Sequence, residues 1–404
     1  MRPTLFTTVI SFDEALRAVM AAAVPMARTE VVGLEDIDGR VVAEDIVSPA
    51  DVPAFDRAAM DGYAVIADDT AGAAPSSPRT LECVGRLFTG DALPGRLARG
   101  QCVEVATGAP VPVGTTAVIM VEQTRAIDDG RIEMLASVTA GQNVSRRGAD
   151  MTQGQMIVPA GGAIGPSRVG AVAATGVASV RVFAQPTVAI LSTGNEIVSP
   201  GQPLGAGQVY DINRYTLQAV VRRHGGAPTL LPAAGDTLAA LHASLDAVAG
   251  HDIAVFSGGS SVGERDLMVD ALRTRGTIIF HGIAVKPGKP TLFARMGDTL
   301  VFGMPGSPSS CLSNAYILLV PLLRAMARLP QSRPQTIMLP LSRRVSSTLD
   351  RHQFYTVRIV EGQAEPAFKA SGDITSMANA DGFIEIPAGT DSVAAGTLVS
   401  VKIF

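Results

Sequence analysis

The chain has 404 residues, a formal net charge of −4, 47% apolar and 17% charged side chains, and no Trp. At roughly 100–200 residues per domain it has core material for two to four domains. Few aromatics and scattered Lys and Arg exclude a stacking platform for single strands and a basic nucleic-acid footprint. Cys83, Cys102 and Cys311 lie far apart with no CxxC, which excludes a disulfide framework or a zinc site and fits a reducing compartment. The start, "MRPTLFTTVISFDEAL", has no apolar leader core, and "AYILLVPLLRAMARL" is broken by Pro321 and Arg324 and is too short to span a bilayer. The expectation is a cytoplasmic protein with neither a nucleic-acid nor a membrane partner.

In chain order, Ser11 and Glu14 make a capping box before a helical apolar pattern. Between about residues 52 and 145, short β-like runs such as "GYAVIA", "QCVEVATG" and "TAVIMVEQT" alternate with turns, a β-rich module. Helical periodicity returns after Pro166 and is expected to pack with the N-terminal helix. Residues 52–145 then read as an insertion into an elongated domain made of 1–51 and 146–184. From 185 to 329 the apolar runs "TVAILST", "TLLPAAG", "DIAVFSGG", "TIIFHGIAV" and "TLVFGMPG" alternate with helical segments. That pattern predicts a mainly parallel sheet covered on both faces. Residues 330–404 are β-like again. The fold class is therefore multidomain α/β plus β.

Ligands of open α/β sheets bind outside the carboxyl ends of the strands. The segments just beyond the predicted strands are "STGNE", "GD", "SGGSSVGERD", "VKPGKP" and "MPGSP". Glycine loops let backbone N–H groups approach an anion, and the helix after such a loop adds a favourable dipole. Lys286 and Lys289 sit in a rigid Pro-Gly turn, and Glu196, Asp236 and Asp266 supply carboxylates for a bridging cation of the Mg²⁺ type. Taken singly, each feature has a plainer reading. A Gly-rich turn is often only a turn, and Asp236 reads as a helix N-cap. "PAFDRAAMDGYAV" and "ATGAPVP", around Thr107, read as turn and loop. No Walker A or GxGxxG pattern occurs.

Together, "DVPAFDRAAMDGYAV", "ATGAPVPVGTTAVIMVEQ", "RRGAD", "ILSTGNEI", "GQVYDINRYTL", "SGGSSVGERD", "VKPGKP", "GMPGSP" and "SGDITSMANADGFIEIP" resemble, in order, the MoeA family of molybdopterin molybdenumtransferases, which includes the E domain of gephyrin. The resemblance implies four domains: the elongated linker domain, the inserted β domain, a molybdopterin-binding-like α/β domain and a C-terminal β-barrel. It implies a homodimer whose cleft combines the α/β and C-terminal domains with the partner's inserted domain. It implies insertion of molybdate into adenylylated molybdopterin, with Mg²⁺ assisting and AMP released. Contacts with the upstream adenylyltransferase and acceptor molybdoenzymes are implied as well.

By the same resemblance, Asp61, Thr107, Asp150, Glu196, Asp236, Asp266, Lys286 and Lys289 are functional polar positions, and Asp236 and Asp266 are assigned to Mg²⁺ or to water positioning. Lys286, Lys289, Arg351 and Ser376 line the molybdate pocket. Ser257, Gly258, Gly259 and Ser260, with Pro305, Gly306, Ser307 and Pro308, form the two cofactor loops. Two departures stand out. The family's PGNP is PGSP here, putting Ser307 in place of an amide, and its FDNSAMDGYA has Arg57 and Ala58. A molybdopterin-binding adenylyltransferase or cofactor carrier, and a non-catalytic gephyrin-like scaffold, are the competing functions.

Overall fold

The computed structural model describes residues 9–92, 95–128, 130–258, 267–332, 334–370 and 372–404. The chain falls into two compact units. One contains residues 1–30, 39–41 and 182–404, the other residues 31–38 and 42–181.

The first unit is organised by a six-stranded sheet. Its strands lie in the order Ala227–Leu230, Thr187–Ser192, Ile253–Ser257, Thr299–Met304, Leu292–Met296, Thr277–His281. The first four are mutually parallel, and Leu292–Met296 runs antiparallel to both neighbours. The sheet is mainly parallel, as its near-continuous apolar runs required. Alternation explains those runs. Val188, Ile190, Ile253, Val255, Leu300 and Phe302 enter a core shared with helices Asn213–Arg223 and Pro308–Met326. Ala189, Leu191, Ala254, Phe256 and Val301 enter the opposite core, under helices Leu238–Val248 and Leu267–Arg273. Both faces are covered, so the middle of each parallel strand is apolar, and buried polar residues such as Ser192 and Ser257 come at the strands' carboxyl ends.

The N-terminal helix, Phe12–Ala21, begins at the expected capping box, with both Ser11–Glu14 bonds formed. Its buried Ala15 and Val19 join the first of these cores, against the 308–326 helix, and among the described residues the helix after Pro166, its expected partner, contributes nothing to that core. The helix from Pro308 to Met326 is 19 residues long. It extends further back than the greasy stretch alone suggested, and it is apolar enough to cross a bilayer by length and composition. In this fold, 72% of that stretch is buried, as befits a core helix. A π-helical turn, Ala315–Leu319, interrupts it.

A second sheet in this unit runs in the order Val285–Lys286, His352–Val360, Gly382–Ile386, Leu398–Ile403, Thr336–Pro340, and Gln363–Pro366 pairs with His352–Val360. The "TIIFHGIAV" run is thus not one strand. It breaks at Gly282, whose φ of 100° suits glycine. Val285 and Lys286 then pair in parallel with His352 and Gln353 of the C-terminal segment.

His224, at the end of helix 213–223, stacks edge-on against Tyr316. Burial pushes its imidazole down to about 4, with Arg324 and Arg223 adding repulsion. Its unfolded value is near 6.5. Between those values the unfolded chain binds a proton that the native ring refuses, so stability falls as pH drops through that window. Denaturant midpoints measured from pH 7 to pH 4 should fall less steeply in His224→Gln than in the parent chain.

The second unit contains a six-stranded sheet in the order Ala117–Met120, Gly62–Val65, Gln101–Val105, Arg79–Leu87, Arg131–Met134, Thr124–Asp128. Antiparallel pairs join residues 46–47 to 156–158 and 57–58 to 144–145, so the chain enters and leaves this module side by side. Helix Pro166–Ala174 starts with its proline in the first turn, where the missing N–H costs nothing. Cys83 and Cys102 face each other across two parallel strands, and burial pushes the Cys102 thiol well up.

Candidate functional site

The carboxyl ends of the parallel strands form one continuous rim. Thr193 N–H donates to Ser257 O at 2.9 Å, Gly194 N–H to Ala234 O at 3.2 Å, and Gly258 N–H to Met304 O at 3.1 Å. Loops from four strands are therefore laced edge to edge. Gly258 is obligatory at this closeness: a Cβ there would lie 2.4 Å from Thr193 O. Gly259, Ser260 and Asp266 lie outside the described residues.

Asn195 N–H donates to Asp236 Oδ2 at 3.3 Å, and Asp236 N–H to Asn195 Oδ1 at 3.4 Å. This pair ties the Glu196 loop to the Asp236 loop. Asp236 is not the N-cap of the next helix. Thr237 takes that role, accepting from Ala240 N–H at 3.1 Å. Both Glu196 and Asp236 are exposed on the rim.

Beneath the rim lies a buried network that the sequence motifs did not single out. Ser192 Oγ donates to Asp211 Oδ1 at 2.9 Å and lies 3.1 Å from Ser257 Oγ. Arg214 N–H donates to the same Asp211 oxygen at 3.1 Å. Asn213 Nδ2 donates to Gly306 O at 2.8 Å, pinning the 305–308 turn to helix 213–223. The signal was present in "YDINRY": an acidic residue and an amide at a helix start, where side-chain oxygens accept backbone N–H groups.

The lysine turn meets the 305–308 turn in a cleft of about 410 Å³. Lys286, Lys289, Pro305, Ser307, Ser310 and Arg351 all line it. Arg351 arrives because His352 pairs with Val285, placing it beside the lysine turn. Its guanidinium contacts Asp350 at 3.2 Å, but Asp350 is 68% exposed. A surface pair of that kind holds the cation weakly. Lys286 has no ion-pair partner among the described residues. Two lysines, one arginine and two serines thus line a single cleft, a set of residue types suited to a multiply charged oxyanion. Pro308 starts the helix next to this turn. Ser376 is placed differently from its expected role. It is buried, its hydroxyl donates to Asp373 O at 2.6 Å, and it is not among the residues lining the cleft.

In the second unit, Asp61 and Thr107 are brought together. Asp61 Oδ1 accepts from Thr107 N–H at 2.6 Å and from Thr107 Oγ1 at 2.8 Å. The backbone N–H, then the hydroxyl, hold the Asp61 carboxyl below its ordinary range. Its ionised form is thereby favoured in the folded state, a contribution present above the ordinary carboxylate value and lost as pH falls through the depressed one. Thr107→Val should return the Asp61 titration part of the way upward, read by carboxyl-carbon NMR. Asp150 is exposed, with its N–H on Val52 O. Arg57 is exposed on its short strand. The "RRGAD" motif does structural work: Arg146 binds Asp56 and Arg147 binds Asp51, each at 2.6 Å.

No cluster of three or more His, Cys, Asp or Glu capable of caging a metal occurs among the described residues. Mg²⁺ does not need one. It uses one or two carboxylates and takes its remaining oxygens from water and phosphate. The exposed Asp236 and Glu196, on tethered loops, meet that requirement.

Family models match in chain order: "MoeA N-terminal region (domain I and II)" over residues 10–176, "Probable molybdopterin binding domain" over 189–325, and "MoeA C-terminal region (domain IV)" over 338–404. A molybdopterin molybdenumtransferase of Haemophilus influenzae is 32% identical over 98% of both chains. The chain belongs to the MoeA family. Molybdopterin molybdenumtransferase 2 of Mycobacterium tuberculosis is 34% identical over 95% of this chain and 97% of its own. Two structures of the Pyrococcus horikoshii molybdopterin biosynthesis MoeA protein, 37% and 28% identical, each cover 98% of this chain with a TM-score of 0.78. The multidomain MoeA architecture therefore spans almost the whole sequence.

Proposed function

We propose that this MoeA-family chain is a molybdopterin molybdenumtransferase, inserting molybdate into adenylylated molybdopterin and releasing AMP during molybdenum cofactor biosynthesis. The observation that carries this reading is the convergence of Lys286, Lys289 and Arg351 on one cleft with the 305–308 turn. The reaction's participants are all anions: molybdate, the pterin phosphate and the adenylate phosphate. A chain of net charge −4 must hold them with local groups, because its global field does not attract them.

In this reading Lys286, Lys289 and Arg351 seat molybdate and neutralise charge as it develops. Ser307 and Ser310 add hydroxyl donors. The Ser257–Gly258 and Pro305–Pro308 loops approach the substrate phosphates with backbone amides. Asp236, with Asp266 and Glu196, would hold Mg²⁺, which supplies charge neutralisation at the phosphates. No covalent nucleophile is required. Placement and fixed electrostatics lower the barrier. Asp61, Thr107 and Asp150 would complete the cleft from the second subunit of a homodimer. The four-domain division, with boundaries at 52–145, 185–329 and 330–404 and a closed barrel at the C-terminus, belongs to the same proposal, as does a cytoplasmic location.

Purified protein incubated with adenylylated molybdopterin, Mg²⁺ and molybdate should release AMP only when molybdate is present. ATP consumption with unmodified molybdopterin would instead identify an adenylyltransferase. No turnover in either assay would identify a scaffold.

A further inference from the structure

The helix that begins at Pro308 presents residues 307, 310 and 314 on one face, at i, i+3 and i+7. Ser307 and Ser310 line the cleft. Asn314, two turns along, is fully buried and does not. Its Nδ2 instead donates to Gly288 O at 2.8 Å and to Thr291 Oγ1 at 2.5 Å. Thr291, also fully buried, donates its own hydroxyl to Gly288 O at 2.9 Å. Gly288 lies between the two lysines, so its carbonyl is gripped from two sides. Asn314 Oδ1 has no hydrogen-bond partner among the described residues. An apolar side chain would leave no orphaned acceptor, so packing alone does not account for an amide here. The π-helical turn starts at the next residue, Ala315. Such turns re-aim a helix face and concentrate at functional sites.

We infer that Asn314, supported by Thr291, is a positioning residue for the oxyanion cleft. It fixes the Lys286–Lys289 turn to the same helix that carries the 305–308 turn, and so sets the spacing between the cationic and hydroxyl walls. The inference rests on the function proposed above for that cleft. Its test therefore includes a measurement that does not involve turnover or molybdate.

Asn314→Leu keeps the branching and removes the donor but adds bulk, and Thr291→Val is a near-isosteric, milder second variant in case the first folds poorly. Competitive acetylation of the whole protein, read by mass spectrometry, reports the relative reactivity of Lys286 and Lys289. That ratio should change in both variants. Molybdate affinity, by calorimetry, should weaken about tenfold or more in Asn314→Leu, as expected for angstrom-scale misplacement. In a Lys286→Ala/Lys289→Ala background, the same Asn314→Leu change should leave the remaining molybdate affinity within about twofold, the coupling expected if it acts through the lysines. Unchanged labelling and affinity in folded variants would overturn the inference, as would a loss that persists in full in the lysine-less background. A parent chain that binds no molybdate, yet shows altered lysine labelling in Asn314→Leu, would defeat the functional proposal while supporting this one.

Discussion

Lys286→Ala is expected to lower molybdate-dependent AMP release by about 10²–10³-fold, the range seen when one fixed transition-state donor is removed. The thermal midpoint should barely move. Lys286 lines the cleft, and no ion pair among the described residues depends on it. Its backbone role, pairing with Gln353, survives truncation of the side chain. The loss should appear in kcat as well as in the apparent KM for molybdate, because the cation serves charge that grows during the reaction. Lys286→Arg should recover part of the activity but not all, since a planar fork cannot reproduce a point charge. Full activity in Lys286→Ala, in a protein that unfolds like its parent, would remove the lysine turn from the chemistry.

Gly288→Ala is expected to be strongly destabilising for a single added methyl group. Gly288 has a φ of 104°, where an L-residue is strained, and a Cβ there would lie 2.3 Å from Asn314 Nδ2. Asn314 is fully buried and held by two hydrogen bonds, so it has no easy escape. Backbone strain and overpacking together should cost about 2–5 kcal/mol. A urea titration would show this as an earlier midpoint, and lysine labelling would show it as a reorganised turn. A midpoint within error of the parent would mean that the turn can shift without penalty.

Much of this architecture was legible because two periodicities dominate it. The parallel strands announce themselves as unbroken apolar runs, since each side chain enters one of two cores. The helix at Phe12 announces itself through Ser11 and Glu14. Its apolar stripe was legible too, but not what covers it. The strand Leu292–Met296 was harder to see, although Gly297-Asp298 is a two-residue hairpin signal between it and Thr299–Met304. The end of "TIIFHGIAV" was not legible as a change of sheet. Val285 is apolar in either sheet, and only long-range pairing decides between them.

The same division holds at the site. Lys286, Lys289 and the 305–308 turn could be found by inspecting the loop at the carboxyl end of each strand. Arg351 could be named only through family resemblance, because local pattern cannot show that residue 352 hydrogen-bonds to residue 284. Asp211, Asn213 and Asn314 escaped notice because they act from beneath. A buried carboxylate or amide is visible in sequence only once its partners are known.

Parallel pairing of Val285–Lys286 with His352–Gln353 has a further consequence. A shortened protein ending near Pro330 would retain every conspicuous motif of the α/β half, including both lysines. It would nevertheless lack the neighbouring backbone that pairs with Lys286, and the arginine that lines the same cleft. The motifs alone do not make a minimal enzyme, since the last fifth of the polypeptide is the bench on which the lysine turn is mounted.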